Sequence, residues 1–231
     1  TCALPISPTE AFRVYTELAA LFASVDGVKL ADGLWSLGTG KAKVGKSYKV
    51  DRVSLSGAVL SHLRLHSVFD DVLAILSEGP HRVTRLDAAV DTPEDGADVL
   101  DALRDRYPRG QVRLSQRPVN VKEMLSTRPD GRRSGTWYAG HRSGAEVTCR
   151  VYDKALQILE QQGESVPPRT RYELTVRKGP GPTLRDAHSP ERLFWHYMAP
   201  AILEAPSGVP EWSSGWGEGW TMERNELLPA E

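Results

Sequence analysis

The stretch EVTCRVYDKALQ, residues 146–157, changes its periodicity at a tyrosine. Val147, Cys149 and Val151 alternate with Thr148, Arg150 and Tyr152, the period-two pattern of a half-buried strand. Ala155, Leu156, Ile158 and Leu159 then recur at helical spacing. Tyr152 therefore takes the last strand position, on the polar face with Arg150 and just ahead of Lys154. A tyrosine so placed is either a surface aromatic at a sheet rim or a nucleophile beside a basic site.

Two further stretches repeat the pattern of a strand with one charged face. In TRLDAAVD (residues 84–91), Arg85, Asp87, Ala89 and Asp91 fall on one side, and Leu86, Ala88 and Val90 on the other. In RTRYELTVR (residues 169–177), Arg171, Glu173, Thr175 and Arg177 oppose Tyr172, Leu174 and Val176. Carboxylates on two strands, with a tyrosine and cations on a third, suit a metal and phosphate site. Hard divalent ions such as Mg²⁺ and Mn²⁺ take oxygen ligands, and Arg and Lys hold phosphate oxygens. The same residues are equally readable as solvent-facing ion pairs.

The bulk numbers describe an ordinary globular chain of 231 residues, 40% apolar and 26% charged. No apolar run approaches the ~18 residues of a membrane span, and nothing reads as a signal peptide. Cys2 and Cys149 give neither a disulfide framework nor a zinc spacing, so a reducing cytoplasm is expected. Cys149 lies on the apolar face of its strand and is expected to pack rather than react. The opening TCALPIS resembles translated adapter sequence, so residues 1–7 are expected to be non-native and are set aside.

The net charge of −1 conceals an uneven distribution. Residues 104–154 carry twelve Lys/Arg against five Asp/Glu, and residues 169–185 carry five against one. Residues 186–231 carry two Arg against eight acids. A local basic region can attract a polyanion even when the total charge is close to zero.

Along the chain, a helix is expected over residues 9–24 around Phe12, Leu18, Leu21 and Phe22. GLWSLGTGKAKVGKSYKV (residues 33–50) reads as a Gly/Lys-rich loop. Within it, GKAKVGKS matches the phosphate-loop pattern, but the hydrophobic strand before it and the helix after it are missing. YKVDRVSLS and AVLSHLRLH read as a hairpin split by Gly57. On such a strand His62 and His66 share a face, but they are four residues apart and not a His-x-His pair. A helix follows, capped by Ser67 and ended by Gly79, then the strand HRVTRLDAAVD. Next comes a helix with Thr92 as N-cap and Pro93 at its first position. Strands are expected at RPVNVKEMLST and on both sides of the HRSG turn, where one of Trp137 and Tyr138 should pack in the sheet, with stacking of such aromatics on an unpaired base as the rival reading. A helix to Gln162, the strand RTRYELTVR and a helix capped by Ser189 complete the order. This gives an α+β fold with a mainly antiparallel central sheet and helices packed on it. Residues 8–204 are expected to form the catalytic domain, and 205–231 a tail.

VTRLDAAVD, GTWYAGHRSGAEVTCRVYDKALQ and RTRYELTVR together resemble the ordered motifs of the Rep_trans-type replication initiation factors. These are rolling-circle initiators of plasmids and phages, with related relaxases of conjugative elements. Its R-x-D-x-x-x-D strand corresponds to Arg85, Asp87 and Asp91, and its turn motif to Tyr138, Gly140, Arg142 and Ser143, with looser spacing. Its R-x-Y-[DN]-K segment corresponds to Arg150, Tyr152, Asp153 and Lys154, and its R-x-E strand to Arg171 and Glu173. The resemblance spans roughly residues 50–180 and implies a nicking-domain fold.

It also implies sequence-specific DNA nicking and joining by Tyr152 through a 5′-phosphotyrosyl intermediate, with Arg150 and Lys154 favouring the phenolate. Asp87, Glu173 and Asp91 would hold Mg²⁺ or Mn²⁺, and Arg142, Arg171 and Arg85 would bind the DNA backbone. The implied partners are origin DNA, as duplex or as a hairpin with an exposed single strand, then host helicase and polymerase, and a second copy of the chain; no membrane is involved. Two other readings stay open: an origin-binding protein of the same family that does not cut, and a nucleotide-binding role for GKAKVGKS.

Overall fold

The structure is a computed structural model that describes residues 2–6, 8–25, 29–31, 34–37, 40–47, 50–79, 81–115, 117–140, 145–177, 182–199 and 201–204. Two compact units emerge. The described residues of the first come from Thr1–Leu86 and Arg177–Ser189, and those of the second from Asp87–Val176 and the segment after Pro190.

The first unit runs β1 (Cys2–Ile6), α1 (Pro8–Ala23), β2 (Lys29–Ala31), β3 (Leu34–Leu37), β4 (Gly40–Ser47), β5 (Val50–Leu55), α2 (Gly57–Leu65) and α3 (Phe69–Ser77). Its sheet has the order β1-β5-β4-β3-β2, antiparallel throughout. Residues 2–6, set aside in the sequence reading, form its edge strand against β5. The core gathers Val14, Leu18 and Phe22 of α1, Val53 and Leu55 of β5, Val59 and Leu63 of α2, and Phe69, Val72 and Leu76 of α3. The four-residue spacing of Val14, Leu18 and Phe22 makes one helical stripe. Phe12 lies off it and is 74% exposed, contrary to the expected apolar face.

Further sequence expectations fail in this unit, among them the cap of α3, where Val68 and not Ser67 precedes the helix. The stretch read as a Gly/Lys loop contains strands β3 and β4, and GKAKVGKS is the whole of β4. A phosphate loop needs a turn leading into a helix, so that motif is a chance match. The second half of the expected hairpin is helix α2, with Ser56 as N-cap accepting from the Val59 amide. His62 and His66 therefore stand one helical turn apart, with ring centroids at 4.4 Å.

The second unit runs β6 (Leu86–Thr92), α4 (Gly96–Arg106), β7 (Arg113–Leu114), β8 (Arg117–Pro118), β9 (Val121–Thr127), β10 (Arg133–Ala139), β11 (Val147–Asp153), α5 (Lys154–Gln162) and β12 (Thr170–Val176). After α6 (Leu184–His188) of the first unit, α7 (Glu191–Met198) returns to it. The sheet order is β6-β12-β11-β10-β9, with antiparallel pairing across β9, β10, β11 and β12. The fold is α+β, as expected. The α4 helix begins at Gly96 behind the Asp95 cap, not at Thr92-Pro93, and α7 begins after Pro190 rather than Ser189.

One face of this second sheet is packed. Ala88, Trp137, Ala139, Cys149, Val151, Tyr172, Leu174 and Val176 are all buried on it, beneath α4, α5 and α7. Cys149 packs as expected, and burial pushes its thiol pKa up, away from reactivity. Strand β12 alternates buried and half-buried residues along its whole length. This strict alternation directs Arg171, Glu173 and Thr175 to the opposite, polar face. Among the described residues no helix is long and apolar enough to cross a membrane.

A candidate active site on the polar face of the second sheet

Strand register assembles the site. On β11 and β12, Tyr152 lies opposite Arg171 and Arg150 opposite Glu173. The Tyr152 hydroxyl donates to Glu173 Oε1 at 2.8 Å. Arg150 donates to the other carboxylate oxygen, Oε2, and its guanidinium lies 5.5 Å from the Tyr152 ring centre. Glu173 thus accepts from the tyrosine with one oxygen and from an arginine with the other.

The remaining acids, on β6, are also engaged. Asp91 makes a two-pronged pair with Arg171, whose Nη2 lies 2.8 Å from Oδ2. The Arg171 hydrogen bond holds the Asp91 carboxyl below its usual range. Asp87 accepts from the Thr175 hydroxyl at 2.7 Å. All three acids share one sheet face, as the alternation predicted. Among the described residues, however, no three His, Cys, Asp or Glu side chains are gathered as metal ligands. Their oxygens are of the type that Mg²⁺ or Mn²⁺ takes, but here each carboxylate is bonded to a hydroxyl or a guanidinium.

The electrostatics of the tyrosine are mixed. The Tyr152 pKa is pushed up to about 12, first by burial, then by the hydrogen bond to Glu173 and its negative charge; Arg171 and Arg150 only partly offset this. The phenol is therefore held neutral with an acceptor on its proton, rather than stabilised as phenolate by cations. Lys154, expected to favour the phenolate, instead donates to Gln157 Oε1 at 2.6 Å. Burial and the neighbouring Arg171 lower the Lys154 pKa. In Arg150, burial is the largest single influence and lowers the pKa, but the hydrogen bond to Glu173 and the charges of Glu173, Tyr152 and Tyr138 together raise it.

Of the expected backbone-binding residues, Arg171 is in the site. Arg85 precedes β6, outside the strand, and falls in the first unit. Arg142 and Ser143 lie outside the described residues.

Asp153, which the motif placed beside Tyr152 without a task, has a clear one. It is 3% exposed and caps α5, accepting the Leu156 amide at 2.9 Å on one oxygen and the fully buried Ser134 hydroxyl at 2.8 Å on the other. Gly96 packs so closely on it that an added Cβ would fall 2.5 Å from the Asp153 Cβ. Ser134 reaches that side because Gly135, with φ of 130°, breaks the alternation of β10. Tyr152 is thereby fixed from below. Asp153→Ala removes the cap and strands the Ser134 hydroxyl, and should cost roughly 2–4 kcal/mol. Denaturant unfolding measures it. Asp153→Asn, which keeps a capping oxygen, should cost less.

Comparison with known proteins gives one family match, over part of the chain. A search of curated proteins gives no match. Among solved structures, the di-domain ARO/CYC BexL from the BE-7585A biosynthetic pathway is 11% identical, covering 82% of this chain and 90% of that one at a TM-score of 0.24. The di-domain ARO/CYC StfQ from the steffimycin biosynthetic pathway is 12% identical, covering 85% and 93% at 0.22. Scores this low carry no weight for fold or function. The segment that holds Asp87, Asp91, Arg150, Tyr152, Lys154, Arg171 and Glu173 is different: residues 81–181 match the family model of the Rep_trans replication initiation factors.

Proposed function

We propose that the chain initiates replication or transfer of a mobile DNA element by cutting and rejoining one strand of its origin, with Tyr152 as nucleophile and Glu173 as its base. The observation that carries this reading is the hydrogen bond from the Tyr152 hydroxyl to Glu173, bordered by Arg150 and Arg171. A neutral phenol attacks weakly, and a positioned carboxylate removes its proton as the new bond forms. The Tyr152 Oη–P bond forms, the P–O3′ bond breaks, and the phenol proton passes to Glu173. The departing 3′ oxygen takes up a proton from Lys154, which follows Tyr152 by two residues and feels the charges of Arg171, Asp91 and Glu173. One phosphodiester replaces another, so the joined state keeps the energy needed to reseal the strand.

Arg150 and Arg171 are suited to the non-bridging oxygens, since guanidinium binds phosphate in two-pronged fashion. These contacts position the strand and do not read its sequence. If Mg²⁺ or Mn²⁺ takes part, Asp87, Asp91 and Glu173 would hold it, and it would neutralise charge on the phosphate. For that, Asp91 and Glu173 must let go of their arginines. Origin DNA with an exposed single strand is the proposed substrate, and the cytoplasm the proposed place of work; a second copy, helicase and polymerase would join at the origin.

The test is covalent capture. The protein is mixed with a random single-stranded DNA library and Mg²⁺ or Mn²⁺, denatured, washed, and digested for mass spectrometry. The expected result is a Tyr152 peptide carrying a 5′-phosphate-linked nucleotide, with sequencing of the captured DNA showing a common cut site. Binding without any captured DNA would favour the non-cutting alternative.

A further inference from the structure

We propose that Tyr138 and Met124, flanked by Lys122, form a platform for a nucleobase next to the phosphate that Tyr152 attacks. This rests on the nicking reading and adds where the adjoining nucleotide goes.

Two cross-strand rows carry the proposal. In one, Arg171, Tyr152, Thr136 and Met124 lie opposite one another from β12 to β9. In the other, Glu173, Arg150, Tyr138 and Lys122 do so. Residues directly opposite in paired strands share a face. Tyr138 and Met124 therefore stand on the same face as the tyrosine, one and two strands away. Neighbouring strands are about 4.8 Å apart, so the platform begins where the cationic pair ends.

The two side chains make one patch. The Tyr138 hydroxyl lies 3.6 Å from the Met124 sulfur. Met124 is 56% exposed, whereas the neighbouring Trp137 is 1% exposed on the packed face. Trp137 thus serves the core, and Tyr138 is the aromatic left on the polar side. A single exposed apolar residue needs no explanation. A tyrosine whose hydroxyl meets a thioether, bounded by Lys122 and Arg150, fits a ligand that is flat and apolar in one part and anionic in the next. Single-stranded DNA has that alternation of base and phosphate, and stacking on an aromatic ring accepts any base. A duplex keeps its base faces hidden in the stack.

The experiment measures binding of a labelled single-stranded oligonucleotide to the full chain, by fluorescence anisotropy. Tyr138→Leu preserves bulk and should weaken binding about tenfold, and Tyr138→Phe should bind like the parent. Met124→Ala should weaken it in the same direction, and duplex binding should not change with any of the three. Moving an abasic site along the oligonucleotide should find a position where parent and Tyr138→Leu bind alike. Parent-like single-strand binding by both Tyr138→Leu and Met124→Ala, with circular dichroism intact, overturns the platform and leaves the nicking reading standing. Failure of the parent itself to bind single-stranded DNA overturns both.

Discussion

Replacing Tyr152 with phenylalanine should abolish covalent capture of DNA while leaving the fold and the DNA affinity in place. The substitution removes one oxygen from a ring that is 6% exposed, so the packing of the ring is kept. Glu173 loses the hydrogen bond at 2.8 Å and keeps Arg150 on its other oxygen. The net loss of one such bond is about 1 kcal/mol, small beside the 5–15 kcal/mol of a typical domain. The chemical consequence is total, because no other atom of that side chain can form a bond to phosphorus. Denaturing gels with labelled DNA read the adduct, and anisotropy reads the affinity. An adduct surviving in the phenylalanine variant would move the nucleophile elsewhere. Tyr138, on the same face, would be the next residue to examine. Tyr172 would not: it points to the packed face, donates to Glu94 at 3.2 Å, and burial pushes its pKa up further still.

What the sequence revealed and what it hid divide along physical lines. Strand β12 was legible because one face is buried at every alternate position, β11 because its apolar residues alternate and all but Val147 are buried, and α5 because its apolar residues recur at helical spacing around the buried Leu156. That leaves a strict alternation, followed by a clean switch to helical spacing after Asp153. Helix α2 was misread because AVLSHLRLH satisfies both periods: Val59 and Leu63 are four apart, yet Leu63 and Leu65 also alternate with polar residues. Ser56 decided the matter as an N-cap, but Gly57 looked like a turn. The Lys-rich strand β4 was hidden by its glycines. At the site, residue types and faces were legible, and partners were not. Nothing local states that Tyr152 stands opposite Arg171, since register depends on how the strands are joined and which faces must be buried. The partners themselves appear only in the fold: Glu173 accepts the hydrogen bond of the Tyr152 hydroxyl, and Lys154 donates to Gln157.

The role of Glu173 has its own consequence. Glu173→Gln should slow adduct formation by about 10²–10⁴-fold at neutral pH, the usual contribution of a general base. The amide still fills the space but no longer takes the proton. The pH profile separates this from a role in holding a cation. In the parent the Tyr152 pKa is about 12, so the phenol is protonated across the working range and Glu173 must remove its proton during attack. The parent rate should therefore be nearly flat from neutrality up to the pH at which Lys154, the proposed acid, loses its proton. The variant has no base, and its rate should climb about tenfold per pH unit as phenolate appears. Removing the negative charge also takes away a contribution that raises the tyrosine pKa, so the climb should level off below pH 12. A base is thus replaceable by alkali, whereas a lost cation ligand is replaceable only by more cation. If raising Mg²⁺ or Mn²⁺ rescues the variant and raising pH does not, Glu173 serves the metal. If the variant matches the parent at neutral pH, the contact between Tyr152 and Glu173 is structural, and the proposed proton transfer fails with it.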